Sequence, residues 1–272
     1  MAKAIKHIKA GLLNFDIIGT VPERELGRRR GGRCRPTSAA MQFYNDKCSW
    51  RKCELALAAN FGRGDCVVTN TYDDAHLPPS KEEAGKEWRK YIDSLRKAWR
   101  LRGKRLKYIY VTEGWHGRGE DEYFGGDGQL EDRRIHHHMV INGASPDDLE
   151  AIRSLWGGGG YVRVEPLDVH YYRELAKYLT KEAREFGRPK PGKPAWVGSK
   201  GLTKPEVEYI EIASDSVTLT PPPGAVDYVQ FSEKNPYGFA DCVGARYLLF
   251  EEEPPPQYSY TKGRKLNKPN NF

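Results

Sequence analysis

Apolar and polar positions fall into short β-like runs separated by longer helical periods. Cys66-Val67-Val68-Thr69-Asn70-Thr71-Tyr72 is rich in β-formers and lies between Gly64 and the Asp73-Asp74 turn, which predicts a strand. Ser80-Lys81-Glu82-Glu83 reads as a capping box. It opens a helix to about Leu101, with Trp88, Tyr91, Ile92, Leu95 and Trp99 at helical spacing. Lys107 to Glu113 predicts a second strand, and a third runs from the polar Arg134 through Met139-Val140-Ile141 to about Asn142. Ser145-Pro146-Asp147-Asp148 supplies a cap, a proline at the first helical position and acids in the first turn, so a helix follows to Trp156. Tyr161–Pro166 is a fourth strand, and Asp168 caps a helix from Val169 to about Phe186.

The resulting order, β-α-β-β-α-β-α, predicts an α+β fold: an antiparallel sheet of ferredoxin-like or RNA-recognition-like type flanked by helices. Three segments are expected. Residues 1–36 form a basic, largely flexible arm with a short strand around Leu12–Ile18. Residues 37–186 form the core domain, led by a helix over 37–60 that Thr37 or Ser38 can cap. Residues 187–272 begin as a Pro/Gly/Lys-rich linker to about Pro205 and continue as a small β-rich extension, with strands over Glu206–Thr220, Val226–Phe231 and Ala245–Phe250. Gly114–Arg133 is Gly- and acid-rich and predicts a long loop.

Charge sharpens this picture. The 272-residue chain carries a formal net charge of +7, which favours polyanionic partners. Basic residues load the N-terminus from Lys3 to Arg35, and a second cluster holds Arg96, Lys97, Arg100, Arg102, Lys104, Arg105 and Lys107. Each is a nucleic-acid contact or a solvated face. Five scattered cysteines and no signal peptide argue for reduced thiols in a cytosol. No apolar run approaches membrane-spanning length, and no Walker A pattern is present, so nucleotide hydrolysis is not expected.

The candidate chemistry lies in two places. In the third strand, a side-chain period of 2 puts His136 and His138 on one face and His137 on the other. Two imidazoles from alternate positions are a natural pair of metal ligands, or else three histidines packed or solvated at a strand start. In the last core helix, Tyr172, Leu175, Leu179, Ala183 and Phe186 make an apolar side, while Glu174, Tyr178 and Lys181 cluster one turn apart on an adjacent side.

These elements together resemble a HUH endonuclease, and within that group a rolling-circle replication initiator of bacterial plasmids and phages. Val67-Val68-Thr69-Asn70-Thr71-Tyr72 is similar to the family's first motif, a strand ending in threonines. Arg134-Ile135-His136-His137-His138 followed by Met139-Val140-Ile141 is similar to the metal-binding motif, and Tyr178-Leu179-Thr180-Lys181 to the nucleophile motif. The motifs occur in the family's order over residues 66 to 181. Two positions depart from the pattern. The middle residue of the triplet, usually apolar, is His137, and the place of a second tyrosine is taken by Glu174.

The resemblance implies the single-tyrosine class. Tyr178 is then the nucleophile, Lys181 orients the phosphate or lowers the phenol pKa, and Glu174 activates water. The third metal ligand is Glu113, which strand parity puts at the end of the neighbouring strand. Mixed imidazole and carboxylate ligands suit Mn²⁺ or Mg²⁺ without excluding Zn²⁺ or Ni²⁺. The partners implied are single-stranded origin DNA, a host helicase and a polymerase, in the cytoplasm of a bacterial cell, with no membrane. DNA contacts are expected from Arg96, Arg100, Arg102, Lys104, Arg105 and Arg134, with stacking by Trp115, His116 and Tyr123. Other readings are a relaxase, a single-tyrosine transposase, or a ferredoxin-like nucleic-acid-binding module without catalysis. The sequence leaves the oligomeric state open.

Overall fold

A computed structural model of the chain describes residues 3–20, 39–114, 134–143, 145–181, 194–212, 218–233 and 242–250. In chain order the elements are β1 (Lys3–Ala10), β2 (Leu13–Thr20), α1 (Ala39–Ala58), β3 (Cys66–Tyr72), α2 (Lys81–Leu101) and β4 (Tyr108–Glu113). Then come β5 (His136–Ile141), α3 (Pro146–Ser154), β6 (Gly159–Pro166), α4 (Tyr172–Leu179), β7 (Val197–Gly198), β8 (Glu206–Glu211), β9 (Val226–Glu233) and β10 (Cys242–Leu248). The chain is α+β with two antiparallel five-stranded sheets, and its contacts divide it into two compact units, residues 49–202 and residues 1–48 with 203–272.

In the unit of residues 49–202 the strand order is β6-β3-β5-β4-β7. Strand parity gives β3 and β5 one apolar face: Cys66 lies opposite Ile141 and Val68 opposite Met139. These four are buried against Trp88, Leu95 and Trp99 of α2 and Ile152 of α3. The helical spacing of α2 therefore has a physical destination, since its apolar stripe and the even positions of β3 close on each other. Ser80 caps α2 by accepting from the Glu83 amide. Asp148 and Ser145 form the capping box of α3, and the Asp148 carboxylate also accepts from Lys104 at 2.8 Å. Trp99 donates to the Asn142 carbonyl and Tyr91 to that of Ile152, so these two aromatic side chains enter the core with their polar atoms satisfied.

Part of the segment expected as a linker is an edge strand. Val197 and Gly198 pair with Tyr110 and Ile109 of β4, and Arg105 donates to the Lys200 carbonyl at 2.9 Å. This covers backbone groups that the outer side of β4 would otherwise leave unpaired.

In the other unit the order is β8-β1-β2-β10-β9. Over Lys3–Thr20 the expected flexible arm is instead a β-hairpin, turned at Gly11 with φ +56. Leu13 and Phe15 are fully buried beside Ala245, Tyr247 and Leu248 of β10. The expected C-terminal strands are present with altered limits, the first ending at Glu211 rather than Thr220.

Candidate metal centre and tyrosine site

The site grows from the pairing of three strands. β5 runs between β3 and β4, with Glu113 directly across from His136, Val111 across from His138, and Thr71 and Thr69 facing the same two histidines from β3. Alternate positions share a face, so this register alone gathers Glu113, His136 and His138. Each offers one ligand atom, and these atoms lie within 4.8 Å of one another. Nε2 of His136 is 3.6 Å and Nε2 of His138 3.9 Å from Oε2 of Glu113.

The surroundings suit a cation. Nδ1 of His136 donates to the Arg134 carbonyl at 2.8 Å, which leaves Nε2 as the lone pair facing Glu113. Nδ1 of His138 meets the Thr69 hydroxyl at 3.0 Å in the same outer role. Burial pulls the His138 imidazole down to about 3, so it is held neutral. Burial pushes the Glu113 carboxyl up, but its charged and hydrogen-bonding neighbours, the Lys181 ammonium among them, outweigh it and hold the group below its ordinary value. Oε1 of Glu113 is buried and accepts no hydrogen bond from the described residues. Two imidazoles, a carboxylate and one unsatisfied buried oxygen make a donor set that fits a divalent cation.

α4 lays its polar side over this face. A 3₁₀ turn, Val169–Tyr171, leads into it after Asp168 caps the His170 amide, so the expected single helix starts in two steps. Tyr172, Leu175 and Leu179 are buried, which turns Tyr178 toward the sheet. The Tyr178 hydroxyl is 2.9 Å from Nε2 of His138. Lys181 places its ammonium 3.9 Å from the centre of the Tyr178 ring and 3.4 Å from Oε2 of Glu113. Burial, then the Glu113 charge, raises the Tyr178 phenol above its ordinary value. Glu174 stands exposed one turn earlier. Ala183 and Phe186 lie outside the described residues.

Residues 65–183 match the family model of the replication-associated protein ORF2. The matched span runs from the residue before β3 to just beyond Lys181, and so holds every residue of the site. The match supports a replication-associated role of the Rep type for this part of the chain. No curated protein and no solved structure matches the chain. Among the described residues no helix is long and apolar enough to cross a membrane.

Within this Rep-like region, the extra histidine of the triplet has a place of its own. His137 points to the face opposite the metal centre and is wholly buried there. Its ring stacks on Trp88 with centroids 4.1 Å apart, while Nε2 meets the Tyr72 hydroxyl and Nδ1 the Thr112 hydroxyl, each at 2.8 Å. Sequence reasoning missed Tyr72, Thr112 and Trp88 as its partners, and Thr69 as the support of His138. Strand parity was the signal that could have found Thr69, because it shares the face of His136 and His138.

The expected DNA-contact residues are divided. Arg134 lies beside the site, donating to the Tyr72 carbonyl and pairing with Asp74. The cluster on α2 and after it meets the start of β4, whereas Glu113 ends that strand, roughly 17 Å away at about 3.4 Å per residue. There Arg102 and Lys104 hold Asp148, Arg105 holds the Lys200 carbonyl, and Arg96 pairs with Asp93. Arg100 is exposed. Trp115, His116 and Tyr123 lie outside the described residues.

Proposed function

We propose that the protein initiates rolling-circle replication by nicking single-stranded origin DNA, with Tyr178 as the nucleophile and Glu113, His136 and His138 as metal ligands. The observation that carries this reading is the approach of the Tyr178 hydroxyl to the three-residue donor set, 2.9 Å from a candidate ligand nitrogen. The phenol oxygen attacks phosphorus, the bond from phosphorus to O3′ breaks, and the departing oxygen takes up a proton. The products are a 5′-phosphotyrosyl link and a free 3′-OH for a host polymerase, with a host helicase opening the duplex. One ester replaces another, so no nucleotide is consumed.

A phenol is a weak nucleophile at its reference pKa of about 10, and burial beside Glu113 makes ionisation harder still. Lys181 is the cation of this chain set against the ring, and it offsets the charge of the phenolate. A bound Mn²⁺ or Mg²⁺ supplies charge neutralisation at the scissile phosphate. Glu174, solvent-facing and one turn before Tyr178, serves as the general base for water, so that the closing cleavage is hydrolytic and leaves no new covalent link. This is a single-tyrosine scheme.

The test is a nicking assay on a single-stranded origin library with Mn²⁺, followed by peptide mapping of any DNA adduct. The expected result is metal-dependent cleavage with the adduct on Tyr178, lost in Tyr178→Phe. An adduct on Tyr171, or cleavage indifferent to chelator, overturns the assignment.

A further inference from the structure

β6 is the outermost strand of its sheet and pairs only with β3 among the described strands. Val162 and Val164 turn toward the core beneath α2. Alternation therefore gives Tyr161, Arg163 and Glu165 the opposite face, which is the face of His136 and His138. The register ties these positions to the site row by row: Arg163 lies across from Thr69, and Thr69 across from His138. In the next row Tyr161 is bound to Thr71, Thr71 lies across from His136, and His136 across from Glu113. Two strand spacings separate Tyr161 from His136, roughly 10 Å, or about three stacked bases at about 3.4 Å each.

Tyr161 is held in a way that no core requirement explains. The register shifts between Asn70 and Tyr72, and the Thr71 hydroxyl enters the gap. It accepts from the Tyr161 amide at 2.8 Å and donates to the Tyr161 carbonyl at 3.1 Å. A Cβ on the neighbouring Gly160 would lie 2.5 Å from the Thr71 carbonyl oxygen, so that position admits no side chain. Trp156 anchors the same carbonyl with a 2.8 Å hydrogen bond. Bulges of this kind re-aim a side chain beside an active site. Here the result is a ring that is 70% exposed, the one exposed tyrosine, tryptophan or phenylalanine among the described residues of 49–202.

A groove of about 570 Å³ follows β6, and Tyr161, Arg163, Glu165 and Arg153 are among the residues that line it. Arg163 is paired with Glu165 at 2.6 Å, in a partly exposed contact of the sort that contributes little and can be exchanged for a phosphate. An aromatic ring on the same strand face as a guanidinium group has the chemistry of a single-stranded nucleic-acid platform.

We propose that Tyr161 stacks on an unpaired base and that Arg163 takes an adjoining phosphate, so that β6 positions single-stranded DNA on the sheet face leading to Tyr178. The proposal rests on the nicking reading above for its substrate class. It makes Tyr161 a positioning residue, acting through the strand it holds.

The test uses the full chain in EDTA, with a fluorescent 15-nucleotide strand of mixed sequence and the matching duplex, read by anisotropy. Tyr161→Ala is expected to weaken single-strand binding roughly 5- to 100-fold, the range of one lost base–aromatic stack, and to change duplex binding less than about twofold. Tyr161→Phe keeps the face and should bind like the parent. Arg163→Gln should reduce the logarithmic salt slope for the single strand by about 0.7. Single-strand binding by Tyr161→Ala equal to the parent, or an equal loss for strand and duplex, overturns the proposal. The ring is exposed, so the variant's melting curve should match the parent's. Because no cleavage is read, the outcome is separable from the assignment of Tyr178. Loss of strand binding by Tyr161→Ala together with intact adduct formation by Tyr178→Phe would retire the nucleophile and keep the platform.

Discussion

His137→Phe tests how the strand carrying the candidate metal ligands is fastened to the core. Phenylalanine keeps the stack on Trp88, worth about 0.5–1.5 kcal/mol, and removes both 2.8 Å hydrogen bonds. The Tyr72 hydroxyl is then buried without a partner and the Thr112 hydroxyl partly so, at about 1–3 kcal/mol for each group fully orphaned. A loss of about 2–4 kcal/mol at pH 8 is expected, read by urea unfolding of the EDTA-treated protein with tryptophan fluorescence. Burial holds the His137 imidazole well below its ordinary pKa, so the folded state refuses a proton that the unfolded chain accepts below about pH 6.5. This part of the stability is complete above that pH and falls by about 1.4 kcal/mol per unit as the solution is acidified. His138, pulled down to about 3 by burial, behaves alike. From pH 8 to pH 5 the pair should cost the parent roughly 4 kcal/mol and the variant roughly half of that, so the gap between them narrows by about 2 kcal/mol. A gap equal at both pH values, or a parent whose stability is flat between them, would refute the reasoning.

At the metal centre, calorimetric titration with Mn²⁺ should show Thr69→Val weakening affinity by about 10- to 100-fold, as for the loss of an outer hydrogen-bond partner, and Glu113→Gln weakening it further. Equal affinities in all three proteins would remove Glu113 from the ligand set. Glu174→Ala should still nick and form the tyrosyl adduct but fail at hydrolytic release, which a time course of free and protein-bound DNA distinguishes; release at the parent's rate would make the glutamate a surface residue only. Arg96→Gln with Arg100→Gln should lower the logarithmic salt slope by about 1.4 on a long single strand, and an unchanged slope would take this end of the sheet out of the DNA path.

Legibility in the sequence followed the range of the interaction. The caps at Ser80 and Ser145, the stripe of α2 and the alternation in β5 are set by residues within a few positions of one another; the expected box at Ser80 is a single cap bond from the Glu83 amide, and the reciprocal box forms at Ser145 instead. The grouping of the candidate ligands was legible for the same reason: parity on one strand separates His136 and His138 from His137, and parity on β4 puts Glu113 at its end. What lay beyond reach required partners far away along the chain. Residues 3–20 look like a basic arm because Lys3, Lys6 and Lys9 interrupt the apolar positions, and only pairing with Glu206–Glu211 and Cys242–Leu248 makes a sheet of them. The Pro/Gly-rich segment around Val197 carries no strand pattern of its own and becomes one because β4 has an open edge. The histidines offer ligand atoms in any strand, but whether Nε2 or Nδ1 is free depends on Arg134 and Thr69, and how Tyr178 meets them depends on which side of α4 is buried. Local periodicity decides which face a side chain takes, and tertiary contact decides what it finds there.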